Sequence, residues 1–118
     1  MLPMSVLIVD DHATFRSTAR ALLEADGYTV VGEAATIGEA IAAVEREKPQ
    51  IVLLDVELPD GNGFDLAERL TAGGARINVV LGSSRDYSDF AALVSRSGAK
   101  GFLPRTELSG ARLAALVA

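Results

Sequence analysis

Apolar residues fall along this chain in two alternating rhythms. Val6-Leu7-Ile8-Val9, Ile51-Val52-Leu53-Leu54 and Ile77-Asn78-Val79-Val80-Leu81 are short, nearly unbroken apolar runs, as expected of strands covered on both faces. Between them the spacing turns helical. Phe15, Ala19, Leu22 and Leu23 stand at i, i+4, i+7 and i+8, which is one face of a helix. Ile37, Ile41 and Val44 repeat that spacing, as do Phe64, Ala67 and Leu70, then Phe90, Leu93 and Val94, then Leu113, Leu116 and Val117. Two shorter mixed segments, Tyr28-Thr29-Val30-Val31-Gly32 and Gly101-Phe102-Leu103, complete five strands and five helices in strict alternation.

Local signals agree with these limits. Gly27 stops the first helix, Thr36 with Glu39 three residues on forms a capping box for the second, and Pro49 closes it. Gly73-Gly74 reads as the loop between the third helix and the fourth strand, and with no linker, repeat or low-complexity tract one domain spans residues 1–118. Parallel strands need crossover connections, so strict β-α alternation predicts an α/β fold: a five-stranded parallel sheet with helices on both faces. In such sheets the functional crevice lies at the carboxyl ends of the strands, where the strand order reverses.

Composition narrows the function classes. With 118 residues, 49% hydrophobic, the chain can close a core without staples, and the absence of cysteine excludes disulfide scaffolds and cysteine-ligated zinc and suits a cytoplasmic protein. The apolar runs are too short to span a membrane, and Met1-Leu2-Pro3-Met4 is neither a signal peptide nor an anchor. Sixteen carboxylates against 11 Lys and Arg, net charge −5, argue against direct nucleic-acid binding by this domain.

The strand ends carry the candidate chemistry. The first strand ends in Asp10-Asp11, the third in Asp55, the fourth in Gly82-Ser83-Ser84 and the fifth in Pro104-Arg105-Thr106. Adjacent strand ends converge, so Asp10, Asp11 and Asp55 are expected within several ångströms of one another. Two carboxylates about 4 Å apart repel by roughly 4 kcal/mol at an effective dielectric of 20, so three together call for a cation. An all-oxygen acidic cluster selects Mg2+. The blander reading, in which Asp11 is only the N-cap of the next helix, leaves the other two acids, the hydroxyl and the cation unexplained. Such a set is equipped for phosphoryl transfer to a carboxylate nucleophile.

Val9-Asp10-Asp11-His12, Leu53-Leu54-Asp55 with Leu58-Pro59-Asp60-Gly61-Asn62-Gly63-Phe64, and Gly98-Ala99-Lys100-Gly101-Phe102-Leu103-Pro104-Arg105 together resemble the receiver domain of two-component response regulators, in its NarL/FixJ-type subgroup, over essentially the whole chain. That resemblance implies a flavodoxin-like sheet of strand order 2-1-3-4-5. It implies that Asp55 accepts a phosphoryl group from a sensor histidine kinase, and that Asp10, Asp11, Asp55 and the backbone carbonyl of Glu57 bind Mg2+. It also gives Ser83 as the switch hydroxyl and Phe102 as the aromatic that reports activation. A homodimer and an effector outside this chain are the further partners implied. Relatives in the subgroup usually continue into a helix-turn-helix domain, whereas this sequence stops at Ala118, where the fifth helix is expected to end; the expectation is a piece of a longer protein, with a single-domain receiver as the alternative.

One departure stands out. The family's lysine falls on Arg105, and a planar guanidinium is not interchangeable with a compact ammonium: Arg105 is able to grip phosphate through its fork, or else to clash or swing out. Lys100 is out of register as a replacement. Pro104 stiffens the approach, Gly82 leaves a looser strand end, and Ser84 rivals Ser83. The Arg105 substitution motivates an alternative, a phosphorylation-independent dimerisation or interaction module. An aspartyl-phosphate phosphatase built on Asp55 and Glu57 would need room for a substrate cap. His12 reads as helix-start polarity, and Gly61-Asn62-Gly63 as turn glycines and not a dinucleotide fingerprint. No Gly-x-Ser-x-Gly elbow supports a hydrolase triad of Ser83, Ser84 and His12.

Overall fold

Each unbroken apolar run divides its side chains between two cores. In the computed structural model, which describes residues 4–72, 76–84, 88 and 90–118, β1 (Ser5–Val9) sends Val6 and Ile8 to one core and Leu7 and Val9 to the other. β3 (Ile51–Asp55) divides Ile51 and Leu53 from Val52 and Leu54, and β4 (Asn78–Gly82) divides Val80 from Val79 and Leu81. Successive side chains of a strand point to opposite faces, so a sheet covered on both sides needs apolar residues at every position. The segments Met1-Leu2-Pro3 and Gly73-Gly74 lie outside the described residues.

The first core receives Ala19 and Leu23 from α1 (Ala13–Ala25) and Leu113 from α5 (Gly110–Val117). The second receives Ala40 and Ala43 from α2 (Ile37–Glu47), Phe64 and Ala67 from α3 (Gly63–Thr71), and Val94 from α4 (Ala91–Arg96). With β2 (Thr29–Ala34) and β5 (Gly101–Phe102) added, the sheet runs β2-β1-β3-β4-β5, every pair parallel. This is the flavodoxin-like α/β fold expected from the sequence. Leu7, Ile8, Leu54 and Leu81 are fully buried, each contributing about 1.5–3 kcal/mol of transfer free energy.

Several boundaries differ, for identifiable reasons. β2 starts one residue later than the sequence suggests and continues to Ala34, because a register shift between Val6 and Leu7 pairs them with Val30 and Gly32 and carries the ladder on. Strand β4 takes in Gly82. Leu93 points outward and is 41% exposed, while Phe90, just before α4, packs inward. Between β3 and α3 the chain adds a small antiparallel hairpin, Glu57–Leu58 against Gly61–Asn62, which the glycines had suggested only as a turn. Gly63 has no room for a side chain, since a Cβ there would overlap the carbonyl oxygen of Asp55. The helix limits hold: α1 ends before Gly27 (φ +95°), Thr36 Oγ1 accepts the Glu39 N–H at 3.1 Å, and α2 ends at left-handed Lys48 before Pro49.

The chain leaves β1 in one direction to form β2 and crosses to the other side of β1 for β3. Its crevice therefore opens at the carboxyl ends of β1 and β3.

Candidate functional site

Strand parity brings the charged groups together. Asp10, Asp55 and Arg105 each follow by two residues a member of the core on the α1 and α5 side, namely Ile8, Leu53 and Leu103. The parallel ladders persist past the last strand residues, since the Asp10 N–H donates to Ala34 O at 2.9 Å and the Arg105 N–H to Ser83 O at 3.2 Å. All three side chains thus leave the sheet edge on one side. There Arg105 Nη2 donates to Asp10 Oδ2 at 2.6 Å and to Asp55 Oδ2 at 2.8 Å, and Arg105 Nε donates to Asp10 Oδ2 at 3.1 Å. The carboxylates are buried and the arginine side chain is 18% exposed. Its guanidinium carbon lies 5.1 Å from the centroid of the Phe15 ring, within range of a cation–π contact. Arg105 thus places a positive charge between the two buried aspartates.

Asp11 and His12 complete the cluster. One ligand atom from each of Asp10, Asp11, His12 and Asp55 falls within 4.8 Å of the others. His12, and not Asp11, is the N-cap residue of α1, and it makes no side-chain cap bond. Its N–H donates to Asp10 Oδ1 at 2.8 Å, while its Nδ1 lies 3.0 Å from Asp10 Oδ1, 3.1 Å from Asp11 Oδ1 and 3.1 Å from Arg105 Nη2. His12 thus stands at the helix start and also touches the acid cluster and Arg105.

Burial pushes the Asp55 carboxyl up to about 6, with repulsion from Asp10 adding to the rise, while the Glu57 N–H and the Arg105 charge pull it down. The desolvation of a buried carboxylate outweighs the help its neighbours give. Glu57 donates its N–H to Asp55 Oδ1 at 3.3 Å. Ser83 is buried and Ser84 exposed, and both line an open cleft of about 410 Å3 together with Asp11, Asp55 and Arg105. The Phe102 ring is 5.9 Å from that of Phe90, which lies 5.4 Å from Phe64. Lys100 precedes β5, with its N–H bonded to Val79 O, and among the described contacts the site cation is Arg105.

The donor chemistry suits a hard divalent cation, because Asp10, Asp11 and Asp55 offer carboxylate oxygens in one cluster. Two of those oxygens, Asp10 Oδ2 and Asp55 Oδ2, are engaged by Arg105 in this structure.

The sequence did not single out three other contributors. Phe15 has the spacing of a helix-core residue, yet its ring lies under the Arg105 guanidinium. Arg16 Nη1 donates to the Asp10 carbonyl at 2.7 Å and its Nε to Glu33 Oε1 at 3.1 Å. Asp60 accepts the N–H groups of Ile37 and Gly38 at 2.8 and 3.1 Å. Its position among turn residues gave no hint of a partner 23 positions away.

Comparison with known proteins agrees with this geometry. Residues 6–117 match the family described as the response regulator receiver domain. The chain is 34% identical over 115 residues to the DNA-binding transcriptional activator DevR/DosR of Mycobacterium tuberculosis, covering 97% of this chain and 52% of that protein. It is 33% identical over 102 residues to Protein PilH of Pseudomonas aeruginosa, covering 85% and 84% respectively. A crystal structure of a two-component response regulator of the LuxR family from Aurantimonas superposes with a TM-score of 0.85 at 30% identity, over 97% of this chain and 85% of that one. The chain spans about half the length of several transcriptional regulators it matches.

Proposed function

The chain belongs to the response regulator receiver domain family, signalling modules whose only chemistry is their own phosphorylation and dephosphorylation, and on that footing we propose that Asp55 is a phosphoacceptor for a sensor histidine kinase. The observation that carries this reading is the convergence of Asp10, Asp55 and Arg105 on shared contacts at the carboxyl ends of the sheet. The oxygen of Asp55 attacks phosphorus, the P–N bond of the donor breaks, and its electron pair returns to the imidazole nitrogen. Positioning and charge neutralisation are the protein's main tasks in such a transfer. Asp10, Asp11, Asp55 and the Glu57 carbonyl would hold Mg2+, which when bound supplies positive charge opposite the phosphoryl oxygens. Arg105 offers a planar fork to the same oxygens, and Ser83 contributes a hydroxyl from the floor of the cleft.

The added charge draws Ser83 toward the phosphoryl group and biases the packing of Phe102 against Phe90, so that the exposed face around α4 and β5 changes its affinity for partners. Residues 1–118 act as one cytoplasmic receiver unit. Its output passes to an effector outside this chain, with a second copy of the chain as a further partner.

Incubation with magnesium and acetyl phosphate, followed by intact mass measurement, tests the reading. The expected result is one added phosphoryl group that is absent from Asp55→Asn. Resonance shifts near Phe102 on addition of a beryllofluoride mimic test the coupling to output. No adduct and no shift would overturn the proposal and favour the interaction-module reading, which Arg105 at the position of the family's lysine motivates.

A further inference from the structure

We propose that Arg105 is a built-in counter-ion that competes with a divalent cation for Asp10 and Asp55, and so sets how much metal is needed before the site becomes competent. The inference rests on the metal reading above and concerns what this chain's own arginine does to it. One nitrogen, Nη2, is shared between Asp10 Oδ2 and Asp55 Oδ2, and Nε adds a second bond to Asp10 Oδ2. The other Asp10 oxygen already accepts the His12 N–H, and the other Asp55 oxygen accepts the Glu57 N–H. A cation that uses an oxygen from each buried aspartate therefore meets an arginine already seated there.

That seat is held from three sides. The backbone of Arg105 is tied to Ser83 O, the face of its guanidinium rests over Phe15, and its edge donates to the two carboxylates. The planar guanidinium loses little freedom on forming its fork. For a divalent cation to take both aspartates, Arg105 has to withdraw from them, and the free fork then faces the cleft where the phosphoryl group would sit. By linkage, whatever draws the guanidinium away strengthens metal binding by the same factor that metal strengthens the departure.

Calorimetric titration of MgCl2 into the metal-free full chain, beside Arg105→Ala, tests this. The variant is expected to bind Mg2+ about tenfold more tightly or better. It is also expected to melt lower than the parent without metal, since two buried carboxylates are left facing one another, and to gain more in Tm from added MgCl2. A purely structural role would lower Tm equally with and without metal. Phe15→Leu serves as a second variant should Arg105→Ala fail to fold: it keeps every charge, loosens the guanidinium, and is expected to tighten Mg2+ binding severalfold. Equal or weaker binding in whichever variants fold overturns the competition alone. Absence of Mg2+ binding in both parent and variants overturns the metal reading and this inference together, while leaving phosphorylation of Asp55 to its own test.

Discussion

Asp60 reaches from the turn after β3 to the first turn of α2, where Oδ1 accepts the N–H of Ile37 at 2.8 Å and Oδ2 that of Gly38 at 3.1 Å. Thr36 caps the same helix end through the Glu39 N–H, and Glu39 Oε1 returns to the Ala35 N–H at 2.8 Å. The donors that a helix leaves unpaired at its start are therefore met partly from another segment. The two N–H groups hold the Asp60 carboxyl below its ordinary range. Its contribution is present above the ordinary carboxylate pKa and disappears as pH falls through the depressed value. Asp60→Ala is expected to lower Tm at neutral pH, with Asp60→Asn intermediate, and thermal melts at pH 7 and pH 3 check whether the difference closes in acid.

Asp55 has the opposite sign. Its carboxyl is raised from 3.8 to about 6 in the folded protein, so the native state holds this proton more tightly than the unfolded chain does. The stabilisation is complete below the unfolded value and is lost as pH rises through about 6. With solvent screening allowed for, that loss amounts to about 1–2 kcal/mol. Urea unfolding in EDTA between pH 4 and pH 7 is expected to show a fall in stability that Asp55→Asn removes.

Gly63→Ala should disturb the fold and the site together. Its Cβ would meet the carbonyl oxygen of Asp55 and lie 3.0 Å from Val56 Cα, and backbone cannot yield as a flexible side chain does. The expected cost is about 1–3 kcal/mol, accompanied by slower phosphorylation of Asp55 by acetyl phosphate. A variant of unchanged Tm and rate would show that α3 can move off β3 freely.

Ser83 and Ser84 differ in burial, and this predicts which hydroxyl acts. Ser83→Ala is expected to slow adduct formation on Asp55 by about tenfold, the effect of about 1.4 kcal/mol lost from the transition state. Ser84→Ala is expected to leave the rate near that of the parent. Time courses of intact mass with acetyl phosphate compare the two, and the reverse order would transfer the role to Ser84.

Much of the fold was legible in the sequence because unbroken apolar runs have one economical explanation, a sheet covered on both faces. The acids were legible for a related reason: Asp10, Asp11 and Asp55 each interrupt an apolar pattern where a strand ends. The contacts of Asp60, Phe15 and His12 were not, since each depends on a partner brought near by packing, and their spacing along the chain is ordinary for turns and helix starts.

The sequence by itself determined that several carboxylates would gather at one sheet edge and that a cation would have to join them. Only the tertiary structure decided how the chain's own cation meets them. The extended ladder from β4 to Arg105 and the ring of Phe15 place a guanidinium between Asp10 and Asp55, and the field of two buried carboxylates, weakly screened away from water, holds it there.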